Sequence, residues 1–467
     1  MLKKNDIVKV TVKDITLDGK GVCKVSDGDP VIFVPCSAIG DVLEVKILKV
    51  LKHFAFGKIE KVITPSDDRC ENTCSIFEKC GGCVFRHISY DCESKLKERI
   101  VSDAINKIAK VNYVPVNSIL SARDVYRYRN KAIFPIRKIK GKVKFGFFAL
   151  NSHRIVPCGD CVLHPKEFFD ILASIVSWIE KMDVSVYDEK THIGLIRNVY
   201  IRKGFATDEI MVCVVINGKK LPHASDLVTK LKRSVANIKS VLINFNTKKT
   251  NVVLGDICET IFGQDYIEDE LCGHTFRISS KSFYQVNPVQ TEKLYAKAIY
   301  QINHEQTEVL YDIVRKFANV SQDQTVLDLY CGIGTIGLTL AGSCEKLVGV
   351  EMIPDAIANA KVNARLNGIT NAKFVCADAA DFIKEIEKVD MIVLDPPRKG
   401  CVKDVLTTIA NRGIEKIVYV SCNPATLARD VKILYDKGYE LKKVQPVDMF
   451  PRTGHVEVVV LISRAES

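Results

Sequence analysis

Val326-Leu-Asp-Leu-Tyr-Cys-Gly-Ile-Gly-Thr-Ile-Gly337 decides the architecture. A β-prone apolar run, Val326 to Leu329, leads into a turn rich in glycine (Gly332, Gly334, Gly337) and then a helical pattern. Strand, tight turn and helix in that order open an α/β sheet that binds ligands beyond the carboxyl ends of its strands. Glu351 closes the next apolar run about twenty residues on, where a ribose-binding acid sits in such folds. Glycine spacing alone does not separate a dinucleotide from a sulfonium cofactor. A pyrophosphate seeks the helix N-terminus. A sulfonium carries positive charge and favours acids near the turn, and Asp328 is such an acid.

Outward from this stretch, helical and apolar-strand patterns alternate from about Asn287 to the end, starting with an expected helix from Val289 to Asn303. Such alternation predicts a doubly wound parallel sheet. Asp378 follows the third strand; it reads either as an adenine-side acid or as a helix N-cap. Met391-Ile-Val-Leu-Asp-Pro-Pro-Arg-Lys-Gly400 is a buried strand ending in Asp395, with two prolines to stiffen the loop that follows. An aromatic residue at the fourth position of that loop would suit methylation of an exocyclic amine, but Arg398 stands there.

Ile417-Val-Tyr-Val-Ser-Cys-Asn-Pro424 delivers one thiol, Cys422, to a strand tip just before a helix that Pro424 opens. A helix N-terminus lowers a thiol pKa, which suits a nucleophile; the plainer reading is a small core residue. Glu457 enters the final apolar strand, Val458-Val-Val-Leu-Ile462. If that strand runs antiparallel to the others, Glu457 faces Cys422. His455 is a rival base. These residue types suit methylation at C5 of uracil. C5 is too weakly nucleophilic until a thiolate adds at C6, and a base must then remove the C5 proton. Cys422 fits the nucleophile, Glu457 the base and Asp395 a contact to the uracil edge. Cytosine-C5 enzymes acting on RNA carry a cysteine within the proline motif; Pro397 at that position favours uracil.

The rest of the 467-residue chain suits several domains. Hydrophobic residues are 47% and charged residues 26%, an ordinary globular composition, and no apolar run approaches a membrane span. A cytoplasmic protein is expected, with its 17 cysteines as thiols or metal ligands. The net charge of +11 suits a polyanion partner. Residues 1–62 alternate apolar and polar positions in short runs between turn signals, which predicts a five-stranded barrel of the OB kind. Such barrels often bind single-stranded nucleic acid. A helix is expected over Ser94–Ala109, and a strand-rich region with one helix, Pro165–Met182, follows. Within it, Tyr126-Arg-Tyr-Arg-Asn-Lys131 and Arg137-Lys-Ile-Lys-Gly-Lys-Val-Lys144 are candidate phosphate contacts or solvated faces. Cys74, Cys80 and Cys83 have metal-ligand spacing, with Cys158 and Cys161 downstream; by count, zinc and an iron–sulfur cluster fit equally.

With DLYCGIGT, DPPRKG, SCNP and HVE in this order, the chain resembles the RNA uracil-5-methyltransferase family over nearly its whole length. The resemblance implies a class I (Rossmann-like) S-adenosylmethionine methyltransferase domain at 93–123 and 269–467. It also implies an N-terminal OB-like TRAM barrel at 1–62 and a central α+β iron–sulfur domain at 63–92 and 124–268. Ser282-Phe-Tyr-Gln-Val-Asn287 matches the family's motif whose glutamine contacts the cofactor, here Gln285. Tyr330, Thr335, Glu351, Asp378 and Asp395 are implied for the cofactor and base pocket, Cys422 as nucleophile and Glu457 as base. The cysteine spacing resembles the [4Fe-4S] site of the family's ribosomal-RNA branch, with Cys161 as fourth ligand beside Cys74, Cys80 and Cys83. Cys70 and Cys158 leave the ligand choice open. The expectation is a monomeric enzyme that methylates a uridine of 23S-type ribosomal RNA. The rivals are a transfer-RNA uridine methyltransferase and a non-catalytic iron–sulfur protein that binds RNA or senses redox state.

Overall fold

The computed structural model describes residues 2–26, 28–150, 152–250, 252–280 and 303–465. Two compact units emerge: Met1–Ile100 with Phe148–Val156 and Phe450–Val456, and Val101–Phe147 with Pro157–Met449 and Glu457–Ser467.

In the first unit, β1 (Ile7–Ile15), β2 (Lys20–Lys24), β3 (Val31–Pro35), β4 (Val42–Val50) and β5 (Phe54–Thr64) close a barrel in the order β1-β2-β3-β5-β4. The alternation seen in the sequence puts Ile32, Val34, Leu43, Val45 and Ile47 inside, all fully buried. Asp41, also buried, takes a bidentate Arg69 (2.8–3.1 Å) and pins the chain that leaves the barrel. The helix expected from Ser94 begins earlier, at Tyr90, and its last five residues, Ile105–Ala109, widen into a π-turn. On its buried face Lys97 pairs with Glu93 at 2.7 Å, and Glu93 accepts the Arg452 N–H at 2.7 Å. Residues 450–456 are thereby stitched into this unit.

A seven-stranded sheet occupies the middle of the chain. Its strands are β6 (Lys131–Ile139), β7 (Lys142–Phe148), β8 (Ile155–Pro157), β9 (Ile196–Lys203), β10 (Ile210–Ile216), β11 (Ile238–Phe245) and β12 (Ile257–Gly263). They lie in the order β12-β11-β10-β9-β6-β7-β8. The expected helix is present as Lys166–Lys181, and a second, Ala224–Ser234, was not anticipated. A hairpin follows, β13 (Tyr266–Leu271) and β14 (His274–Ser279).

The C-terminal sheet holds β15 (Thr325–Leu329), β16 (Lys346–Glu351), β17 (Ala372–Cys376), β18 (Met391–Leu394), β19 (Lys416–Ser421), β20 (Tyr439–Val447) and β21 (Glu457–Arg464). The order is β17-β16-β15-β18-β19-β21-β20, with the first five parallel and β21 antiparallel to both of its neighbours. The doubly wound sheet is therefore present, and its strand order reverses between β15 and β18, where such folds bind ligands. β20 and the helix His304–Ala318 were not anticipated. β20 carries lysines and Pro446, which reads as loop; it is an edge strand, where proline is tolerated. Residues 116–120 cover that edge through bridges Val116↔Val444 and Leu120↔Val447. The expected helix Val289–Asn303 lies outside the described residues except for Asn303, which caps the helix His304–Ala318. Among the described residues no helix is long and apolar enough to cross a membrane.

Candidate active site at the carboxyl edge of the parallel sheet

The turn after β15 lines a pocket with Asp328, Tyr330, Cys331, Gly332, Ile333, Thr335 and Ile336; Asp395 closes it from β18. The turn is tight because Tyr330 (φ +66°), Gly332 and Gly334 (φ +85°) all take left-handed backbone conformations. A tyrosine there is strained, a feature that clusters at functional sites. Gly334 is the N-cap of the helix Thr335–Ala341, and a side chain on it would press on the Phe374 ring at 3.0 Å.

Asp328 is fully buried. Its Oδ2 accepts the Gly337 N–H at 3.0 Å, satisfying one of the helix's open donors. Its Oδ1 is buried with no hydrogen-bond partner among the described residues. Burial, and then the charge of Asp395, pushes its pKa up to about 8. Glu351 at the end of β16 is also buried, and burial pushes it up to about 7 against backbone N–H groups that favour the charged form. One carboxylate oxygen accepts the Ile353 N–H at 3.1 Å. Buried acids at the tips of adjacent strands, one with an unpartnered oxygen, suit a cationic ligand and repel a pyrophosphate. The residues present therefore fit a sulfonium cofactor.

Thr335 is buried and shares a 2.7 Å hydrogen bond with the Tyr311 hydroxyl. Asn363, fully buried, donates to the Ile333 carbonyl at 3.2 Å and accepts the Arg277 N–H at 2.9 Å, bracing the turn from behind. Neither Tyr311 nor Asn363 was singled out from sequence. The available signal was a polar residue on the apolar face of a helical pattern. Asp378 is exposed and caps the helix Ala379–Glu385, accepting the Ala380 N–H at 2.8 Å. Gln285 lies outside the described residues.

The register of the sheet aligns the acceptor side. Leu329 pairs with Leu394, so Tyr330 and Asp395 stand level; Leu394 pairs with Tyr419, so Cys422 reaches two residues further out. Pro396 is buried, Arg398 is exposed, and the Gly400 N–H closes the loop onto the Pro397 carbonyl at 2.7 Å. Cys422 is half-buried rather than enclosed in the core. Asn423 behind it caps the helix Pro424–Tyr435, accepting from Ala425 and Thr426. Ser421 pairs with Val458 on the antiparallel β21, so Cys422 and Glu457 are the residues that adjoin the last pair of this ladder. Glu457 is 3% exposed. The condition laid on the final strand is met. His455, the rival base, packs its ring edge-on against Phe450.

The cysteines expected at the cluster fall in two stretches, 74–83 and 158–161. Cys74, Cys80, Cys83 and Cys161 are each half-buried, and Cys158, fully buried, turns its thiol to the Asp160 carbonyl at 2.9 Å. Among the described residues no group of three or more His, Cys, Asp or Glu side chains is placed to hold a metal ion. Spacing along a chain supplies ligands, but gathering mutually repelling thiolates is work that the bound metal does. The structure lends a [4Fe-4S] cluster no support.

Sheet order, glycine turn and acidic pocket define a class I methyltransferase fold. The family model for tRNA (Uracil-5-)-methyltransferase matches residues 230–465, and that for the TRAM domain matches residues 2–59. An uncharacterized RNA methyltransferase of Halalkalibacterium halodurans is 42% identical over 99% of this chain and 98% of its own. One of Clostridium tetani is 41% identical over 99% and 97%. The Pyrococcus abyssi tRNA (uracil-54, C5)-methyltransferase, solved with S-adenosyl-L-homocysteine, superposes with a TM-score of 0.76 at 27% identity, covering 97% of this chain and 99% of its own. The chain belongs to the tRNA (uracil-5-)-methyltransferase family and is an RNA methyltransferase.

Proposed function

We propose that this enzyme transfers the methyl group of S-adenosylmethionine to C5 of a uridine in large-subunit ribosomal RNA. The observation that supports this chemistry is the antiparallel Ser421–Val458 pairing, the last of its ladder, next to which stand the half-buried Cys422 thiol and the buried Glu457 carboxylate. Asp328, Tyr330, Thr335, Glu351 and Asp378, with Gln285, are the proposed cofactor residues. When bound, S-adenosylmethionine would supply an electrophilic methyl group, the S–CH3 electron pair staying on sulfur to leave neutral S-adenosylhomocysteine. The target base flips out of its stack into the pocket. The Cys422 sulfur forms a bond to C6, moving the C5–C6 electron pair onto C5 and O4, and Asp395 holds the uracil edge. C5 then takes the methyl group. Glu457 removes the C5 proton, the C5=C6 bond re-forms, and the Cys422–C6 bond breaks to release thiolate. In this reading 93–123 and 269–467 form the methyltransferase domain, and 63–92 and 124–268 the central one.

Transfer RNA is the second reading. A solved enzyme titled for uridine 54 of tRNA superposes on 97% of this chain, a span that must include most of the barrel, so the barrel does not discriminate between the two RNAs. Mass-spectrometric mapping of 5-methyluridine in both RNAs from a deletion strain decides. Loss confined to the large-subunit RNA is expected, loss confined to tRNA selects the second reading, and loss from neither refutes both. The [4Fe-4S] cluster on Cys74, Cys80, Cys83 and Cys161 is proposed from the resemblance of their spacing to the cluster site of the family's ribosomal-RNA branch. Anaerobically purified protein is expected to contain about four iron and four sulfide per chain, and its absence from active enzyme ends the idea.

The acidic pocket carries a pH prediction. Both Asp328 and Glu351 titrate higher folded than unfolded, so their contribution to stability is complete below the unfolded carboxyl range. It is lost as pH rises through about 7 and about 8. The ligand-free protein therefore melts lower at pH 9 than at pH 6. Cationic S-adenosylmethionine gains affinity over neutral S-adenosylhomocysteine across the same interval. Titration calorimetry with both ligands at pH 6, 7.5 and 9 checks this; a constant ratio of affinities removes the acids from cofactor binding.

A further inference from the structure

A further buried carboxylate lies on the helix that starts beside Cys422. Asp430 is fully buried. Its Oδ2 accepts the Tyr419 hydroxyl at 2.7 Å and the Cys401 N–H at 2.8 Å, and its Oδ1 accepts two Arg429 nitrogens at 2.6 and 2.8 Å. Tyr419 is on β19, three residues before the nucleophile, and Cys401 ends the loop that begins at Asp395. Arg429 also donates to the Lys399 carbonyl at 2.7 Å. At the loop's other end, Asn423 and Thr426 from the same helix donate to the Arg398 carbonyl at 3.3 and 3.1 Å.

The helix thus grips both ends of the turn 398–401. The approach is so close that a Cβ on Gly400 (φ +77°) would lie 2.3 Å from Asp430 Oδ2, leaving no room for any side chain. Burial raises the Asp430 pKa, while Tyr419, Arg429 and the Cys401 N–H act against it. A carboxylate this far from water persists only where its partners hold it, and breaking one such contact costs more than the contact gains. Such a group suits fixing a geometry better than adding stability.

We propose that Asp430 is a positioning residue for methyl transfer: it locks the turn 398–401, and with it the Asp395-Pro396-Pro397 loop, onto the strand and helix that carry Cys422. The loop that frames the base then keeps a constant offset from the attacking sulfur. This rests on Cys422 being the nucleophile and on the loop holding uracil. Displacing a reacting pair by about 1 Å costs about 100-fold in rate. In single-turnover reactions with RNA containing 5-fluorouridine, Asp430→Asn is therefore expected to form the Cys422 adduct about 100-fold more slowly. Its affinity for S-adenosylhomocysteine, whose pocket does not include Asp430, stays within about twofold of wild type. Tyr419→Phe, which removes one of the four contacts, slows the adduct about tenfold. Gly400→Ala, which drives the turn off the carboxylate, behaves as Asp430→Asn does. Adduct formation at the wild-type rate in these variants overturns the proposal. So does a parallel loss of adduct and S-adenosylhomocysteine binding, which would mark a purely structural role. Should Asp430→Asn not fold, Tyr419→Phe and Gly400→Ala decide by the same two measurements. If wild-type protein forms no adduct on any RNA, the underlying reading has failed instead, and that result is distinct from both.

Discussion

Cys422→Ala is expected to abolish methyl transfer, by about 10⁴-fold or more, and to leave cofactor binding intact. The size of the effect follows from the chemistry. Without a covalent bond at C6, C5 of uracil cannot reach the electron density needed to take a methyl group, and no neighbouring group substitutes for sulfur. Stability should hardly change. The side chain is half-buried at a strand tip, and the β19–β21 ladder and the Asn423 cap that hold the tip are made by other atoms. Such a site costs about 1 kcal/mol or less on truncation to alanine. The measurement uses RNA carrying 5-fluorouridine together with S-adenosylmethionine. Fluorine at C5 cannot leave as a proton does, so wild-type enzyme stays bound to its product and migrates as an RNA–protein adduct under denaturing conditions. Cys422→Ala gives no adduct. An adduct that survives the substitution, or turnover near the wild-type rate, transfers the role to another residue.

Glu457→Gln has the next largest effect, and of a different kind. The amide keeps the shape of the carboxylate but takes no proton. The bond to sulfur and the methyl transfer go forward, while the final step, loss of the C5 proton, slows by about 10²- to 10⁴-fold. Ordinary uridine RNA should then behave as the fluorinated analogue does with wild-type enzyme: the adduct accumulates, methylated at C5. Folding should tolerate the change, since the amide has the volume and shape of the buried carboxylate it replaces. Unaltered turnover rules Glu457 out as the base. Slow turnover with no accumulated adduct rules it out equally, because the block would then lie before the thiol bond. His455 is the residue to test next in that event.

The cysteine spacing resembles that of the family's ribosomal-RNA branch, and the barrel is of a kind that binds single-stranded nucleic acid. The barrel is present, yet it falls within the 97% of the chain that superposes on the solved tRNA (uracil-54, C5)-methyltransferase, and among the described residues no group of three or more His, Cys, Asp or Glu side chains is placed to hold a metal ion. Neither feature now separates the two RNAs, which is why mapping the modification carries that decision.

What could be read from the chain alone was local. Val326–Gly337 and Ile417–Pro424 each pass from strand to turn to helix within about a dozen residues, and turn chemistry and apolar periodicity are written within such a span. They named the sheet, its ligand-binding edge and the thiol at its tip. The barrel was legible for the same reason, since strict alternation announces which face is inside. Tertiary structure decided whatever depends on partners distant in sequence. β20 reads as a polar loop until the edge of a sheet gives it a place. That Cys422 and Glu457 adjoin the same ladder pair hung on a strand direction that only the β19–β21 pairing supplies. Asp430 looks like any acid on a helix until Tyr419, Cys401 and Arg429 close around it. The physical reason is the same each time: backbone preference and periodicity are properties of neighbours along the chain, whereas burial, register and the pairing of charges belong to neighbours in space.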